Sequence, residues 1–141
     1  MAEDEQLNAV EKGIFAALNT GAITGTVAAA QHYNVVAPPD ATFPLIVVQL
    51  LDSGREGDSF SQRSQFGEYA IKCITKGEHS VAAAGTMQNA IDTVMEGASL
   101  TVTGLTAFAS RWQRWVSFME YSQDRQAYVH RGGVYRINLT P

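Results

Sequence analysis

The stretch from Phe108 to Leu139, FASRWQRWVSFMEYSQDRQAYVHRGGVYRINL, most constrains what this chain can fold into. It reads as two long strands joined by a polar turn. Trp112, Trp115, Phe118, Tyr121, Tyr128 and Tyr135 stand in it beside Val116, Val129, Val134 and Ile137, and β-branched and aromatic side chains suit a pleated surface. Ser122-Gln123-Asp124-Arg125-Gln126 supplies the break, with Asp a common turn residue. In the first strand Trp115, Met119 and Tyr121 fall on one parity, and Trp112, Val116 and Phe118 on the other. Apolar groups on both parities predict a strand covered on both faces, by helices or by a neighbouring subunit. Gly132-Gly133 interrupts the second strand and predicts a bulge or a close backbone approach. Beyond it Tyr135, Ile137 and Leu139 alternate with Arg136 and Asn138.

The remaining segments must pack onto this ribbon. Leu7, Val10, Ile14 and Leu18 recur at helical spacing, and Glu3, Asp4 and Glu5 suit a helix start, so residues 3–18 are expected to be helical. Gly21 and Gly25 end that helix and open a segment without a firm period. Pro38, Pro39 and Asp40 mark an extended stretch and a turn before the apolar strand PLIVVQLL. Asp52 to Gln65 is nearly all polar or glycine, and is expected to be a long, mobile surface loop with Arg55, Asp58, Phe60 and Arg63 as contact residues. Residues 66–76 return to strand character. A second helix is expected over 79–96, with the stripe Val81, Ala84, Met87 or Gln88, Ile91 and Met95, Ser80 as N-cap and Gly97 after the last turn. Leu100 to Val102 reads as a short strand. The order predicts an α+β domain spanning 1–141, with a single mixed or antiparallel sheet and two helices packed on one face.

A chain of 141 residues fits one domain large enough to fold without staples. Its lone cysteine, Cys73, excludes an internal disulfide and argues against a Cys-based zinc site. The acidic start MAEDEQLNAV lacks a signal-peptide pattern, which points to cytoplasmic synthesis. Net charge is -4, yet Arg111, Arg114, Arg125, Arg131 and Arg136 all lie after position 110, against Glu120 and Asp124. This is either a solvated strand face or a surface that meets an acidic partner or passing nucleic acid.

Motifs of chemistry are scarce. His32, His79 and His130 form no metal-binding spacing, and each reads as a surface or turn histidine. Cys73 falls mid-strand, where it reads as a small buried hydrophobe. No phosphate-binding glycine motif is present, and Glu68 and Glu78 read as solvated charges near strand ends. No catalytic residue, metal or cofactor is therefore expected. The RWQRW cluster reads equally as cross-strand packing, with arginines over aromatic faces, or as an interface anchor.

In layout the chain resembles the tail completion or tail terminator proteins of long-tailed bacteriophages and prophages. The resemblance rests on the N-terminal helix, the proline-containing lead APPDATFPLIVVQLL and a long loop. It continues with the strand and helix FGEYAIKCITKGEHSVAAAGTMQNAIDTVMEG, the segment SLTVTG and the closing basic-aromatic strand YVHRGGVYRINL. It covers roughly Asn8 to Leu139; the very polar 52–65 loop and the segment from Gly21 to Tyr33 depart from it. The resemblance implies a non-enzymatic virion protein that forms a ring, typically six-fold, on the tail tube. Such a ring stops tube growth, joins the tail to the head connector and lets genomic DNA cross its pore without sequence-specific binding. Its partners would be further copies of itself, the tube protein and the connector, first in the host cytoplasm and then in the virion, with no membrane involved. A ring needs two different patches on each subunit, and the candidates here are Arg111, Trp112, Arg114, Trp115, Arg131, Tyr135 and Arg136. Two alternatives stand beside this reading: a connector or stopper ring at the neck, and a small cellular α+β ligand-binding or enzymatic domain.

Overall fold

The computed structural model describes residues 3–28, 31–35, 37–59 and 62–140, and the side chains of these except 3–7, 55–59 and 62–64. Its frame is the hairpin that the aromatic residues demand. Strand β5 (Arg111–Tyr121) runs antiparallel to β6 (Ala127–Thr140). Ser122 closes the turn: its N–H donates to Gln126 O at 2.9 Å, and its hydroxyl accepts from Gln126 N–H at 3.1 Å. Arg125 takes the left-handed conformation there, with φ 62°.

The other strands are β1 (His32–Asn34), β2 (Leu45–Ser59), β3 (Gln62–Lys76) and β4 (Thr106–Ala107). The sheet runs β1-β2-β3-β6, and the far edge of β6 is shared by β5 and the two-residue β4. Among the described residues only β1 and β2 pair in parallel; the other pairs are antiparallel, so the sheet is mixed. The helices are α1 (Glu3–Leu18), the four-residue α2 (Gly21–Thr24) and α3 (Val81–Met95). A single 3-10 turn, Glu78–Ser80, leads into α3.

Alternation along each strand sorts the sheet into two faces. On one face Ile46, Val48, Tyr69, Ile71, Cys73, Tyr135 and Ile137 form a contiguous core with Val10, Ile14 and Leu18 of α1, Ile23 of α2, and Met87, Ile91 and Met95 of α3. The expected helical stripes are therefore the buried ones, apart from Val81, which is exposed, and Leu7, whose side chain lies outside the described set. The opposite face carries no helix of this core. Its rows across the sheet read Leu45-Ile74-His130-Phe118 and Val47-Lys72-Gly132-Val116.

Several expectations are corrected. Asp52 to Gln65 is not a loop: β2 and β3 continue through it as a paired hairpin, with Ser53 opposite Gly67, Arg55 opposite Gln65 and Asp58 opposite Arg63. Polar composition hid the strands: no apolar alternation marks the arm, and past Gln65 it runs beyond the end of its pairing with β6. Phe60 lies outside the described residues, as do the side chains of Arg55, Asp58 and Arg63. Leu100 to Val102 is not a strand; Leu100 and Val102 are buried in the core while the short strand forms later, at Thr106–Ala107. Gly132-Gly133 marks a close approach and no bulge. A Cβ on Gly132 would stand 2.0 Å from Ile71 O, while pairing with β3 runs through both glycines unbroken. Ser80 holds the N-cap position without a capping bond, since its hydroxyl donates to Gly77 O at 2.6 Å instead.

Candidate assembly surface

Among the described residues strand β5 pairs with β6 alone, so its outer edge is open, and ten of its eleven residues are exposed. That is unusual for a strand so rich in aromatics, and of the two covers expected it leaves out the helices of the same chain. The cause lies in the packing: α3 lies over β6 and β3 and reaches β5 only at its start. There the Trp112 N–H donates to Glu96 Oε2 at 2.5 Å, and Ser110 N–H donates to Ala98 O at 2.9 Å.

On the helix-bearing face Trp112 stands opposite Tyr135 and Trp115 opposite Gly133. The strand is irregular between Trp112 and Arg114, which returns both tryptophans to this face, their rings 5.1 Å apart and tilted by 55°. Met119 and Tyr121 continue the same face beyond the helices. Trp112 is 41% exposed, Trp115 46% and Tyr121 59%, so neither tryptophan belongs to the core. An exposed apolar row of this kind, flanked by charges, marks an interaction surface.

The other face of β5 presents Arg111, Arg114, Val116, Phe118 and Glu120. Phe118 stacks on His130 at 4.2 Å, and Lys72 Nζ lies 5.1 Å from the same ring. His130 Nε2 meets Glu120 Oε1 at 2.6 Å. His130 is buried, not a surface or turn residue as its sequence context implied. Desolvation by burial holds its pKa below the ordinary histidine value against the opposing pull of Glu120. The buried Nδ1 has no hydrogen-bond partner, so a second ring proton would be unsatisfied there.

The predicted contact residues separate accordingly. Arg111, Trp112, Arg114 and Trp115 lie together on β5, all exposed. Arg131 and Arg136 are half-buried on β6, on opposite faces. Arg131 Nε donates to Ser117 Oγ at 3.2 Å. The Arg136 guanidinium covers the Phe66 ring at 3.9 Å and approaches Glu68 at 3.7 Å. Tyr135 is fully buried and donates its hydroxyl to Asp92 Oδ1 at 2.8 Å; it is a core residue that an aromatic-basic motif made look like a surface one. Met119 and Tyr121 complete the exposed row and Phe118 is exposed on the opposite face; the same edge-strand pattern could have singled them out.

Elsewhere the side chains offer little for chemistry. Among the described residues no group of three His, Cys, Asp or Glu could hold a metal ion. Burial pushes the Cys73 thiol up to about 12, which leaves it a poor nucleophile. An open concavity of about 490 Å³ beside α1 is lined by Phe15, Ala16, Asn19, His32 and Asn34. His32 Nε2 there sits 3.1 Å from Val27 O, and burial lowers its pKa. No described helix is long and apolar enough to cross a membrane.

No protein-family model matches the sequence, and no curated protein matches it. Solved structures do. The fold superposes on a chain from the virion of a native gene transfer agent particle with TM-score 0.72, at 14% identity, over 96% of this chain and 98% of that one. A second solved protein superposes with TM-score 0.55, at 10% identity, over 99% and 96% of the two chains. The chain thus shares, end to end, the fold of a gene transfer agent virion component.

Proposed function

We propose that this chain is a structural, non-enzymatic virion subunit that forms a closed ring on the head-proximal end of a phage-type tail tube. The ring stops tube growth and joins the tail to the head connector, with genomic DNA passing through its pore. The observation that carries this reading is the full-length fold likeness to a virion chain. The exposed aromatic-basic edge strand supports it, since Trp, Tyr and Arg are the residue types that anchor subunit contacts. Six copies are expected, as in the tail terminators that the sequence resembles.

A terminator must match the tube on one side and reject further tube rings on the other. Disrupting the gene in a producing genome is therefore expected to give filled heads without joined tails, alongside tubes of irregular or excessive length. Electron microscopy of the lysate checks this. Uniform tubes still capped but unjoined to heads would favour the neck-connector role, and normal infectious particles would end the virion-ring reading.

A further inference from the structure

Among the described residues the sheet has two open edges, not one. Besides β5, the outer edge of β2 is open for most of its length, because β1 pairs only with Ile46, Val47 and Val48. The run left free, residues 49–59, equals β5 in length. We infer that these edges are the two halves of one contact between copies: β5 of one subunit adds to the 49–59 run of β2 in the next, continuing the sheet around the ring. This rests on the ring reading above.

Three features of the chain fit this pairing. The first is direction. Successive antiparallel pairings β2-β3, β3-β6 and β6-β5 leave β5 running opposite to β2. A neighbour placed in the same orientation therefore meets it antiparallel, the geometry of β-strand addition.

The second is register. Each edge has a register shift that would disturb pairing with a regular strand. In β5 it falls between Trp112 and Arg114; in β2 one falls between Glu56 and Asp58. When Asp52–Ser59 lies against Arg111–Phe118, the two irregularities stand opposite each other. Ser53 then faces Ser117, both on the helix-bearing side. The other shift in β2, between Leu50 and Asp52, lies at the end of this overlap.

The third is charge. Residues 49–59 carry Asp52, Glu56 and Asp58 against Arg55 alone, whereas β5 carries Arg111 and Arg114 against Glu120 alone. The register sets position 56 opposite position 114, an acid against a base. A pairing of β5 with another β5 would instead leave the acidic run unmatched. Because the two edges differ, the contact is head-to-tail and can close into a ring.

The test is a Ser53→Cys, Ser117→Cys double variant. Cys73 is buried and stays out of the exchange. Paired residues in an antiparallel ladder have Cα atoms roughly 4.5–5.5 Å apart, within disulfide reach. Mild oxidation at concentrations where light scattering reports oligomers should give a reducible ladder of covalent multimers. An equal mixture of the two single variants should stop at dimers. Dimers from Ser117→Cys alone would overturn the contact in favour of β5 against β5. Oligomers without the 53–117 bond would overturn the edge contact and leave the ring reading standing. A chain that stays monomeric at every concentration would overturn both. Arg114→Glu should weaken association by at least about tenfold, and adding Glu56→Arg should restore it; failure of that rescue would also count against the register.

Discussion

Trp112 and Tyr135 are cross-strand neighbours with opposite fates. Tyr135 lies under α3, bonded to Asp92, whereas Trp112 lies just past the helix end. Truncating Tyr135 to Ala should cost about 3–5 kcal/mol of subunit stability, the usual range for a large buried aromatic. Trp112→Ala or Trp115→Ala should cost within about 1 kcal/mol while shifting the ring toward monomer. Urea melts combined with light scattering separate these outcomes. A loss of stability at either tryptophan comparable to that at Tyr135 would contradict the assembly role. His130 gives a pH signature. Its folded pKa is depressed by burial, so the unfolded chain binds the proton more readily. The stability this contributes is fully present above the unfolded value of about 6.5 and declines as pH falls toward the folded one. His32 is shifted the same way by burial and adds to the decline. Unfolding free energy measured from pH 8 downward should fall below pH of about 6.5, and His130→Gln should flatten part of that slope.

At the scale of elements, the arm formed by the ends of β2 and β3 is the segment that composition misrepresents most. A strand built into the core announces itself by a run of apolar residues, as Leu45 to Leu51 does. Past Gln65 the arm pairs only β2 with β3, beyond the end of β6, and its polar sequence carries no alternation to separate it from a loop. The ladder, not the side chains, defines it. If the arm serves contacts between copies and not the fold, replacing residues 56–64 with Asn-Gly should be tolerated. Arg55 and Gln65 are paired, and a two-residue type I′ turn suits that span. The shortened subunit is expected to unfold within a few degrees of the parent while failing to form rings. Loss of the folded subunit would mean the arm stabilises the core. The β5-β6 hairpin is the contrary case. Its strands, its Ser122–Gln126 turn and the tight glycines were all legible, because aromatic density, turn residues and paired glycines each have a local cause.

For the whole molecule, no metal- or cofactor-binding signature enters the proposed role. Purified protein is expected to contain no stoichiometric transition metal by elemental analysis; finding one would send attention back to His32, His79 and His130. The α+β class, α1, α3, the strands at 45–51 and 66–76 and the closing hairpin follow from the sequence alone. Period and punctuation are local properties, and the helices and strands here obey them. Only the tertiary structure decided which aromatic residues are core and which are surface. That depends on where α3 ends over the sheet, and strand periodicity carries no record of it. The same holds for His130, buried by Phe118 and Glu120 from the neighbouring strand, and for the two open edges. Edges are a property of strand order, and strand order is set by long-range pairing that no window of sequence contains.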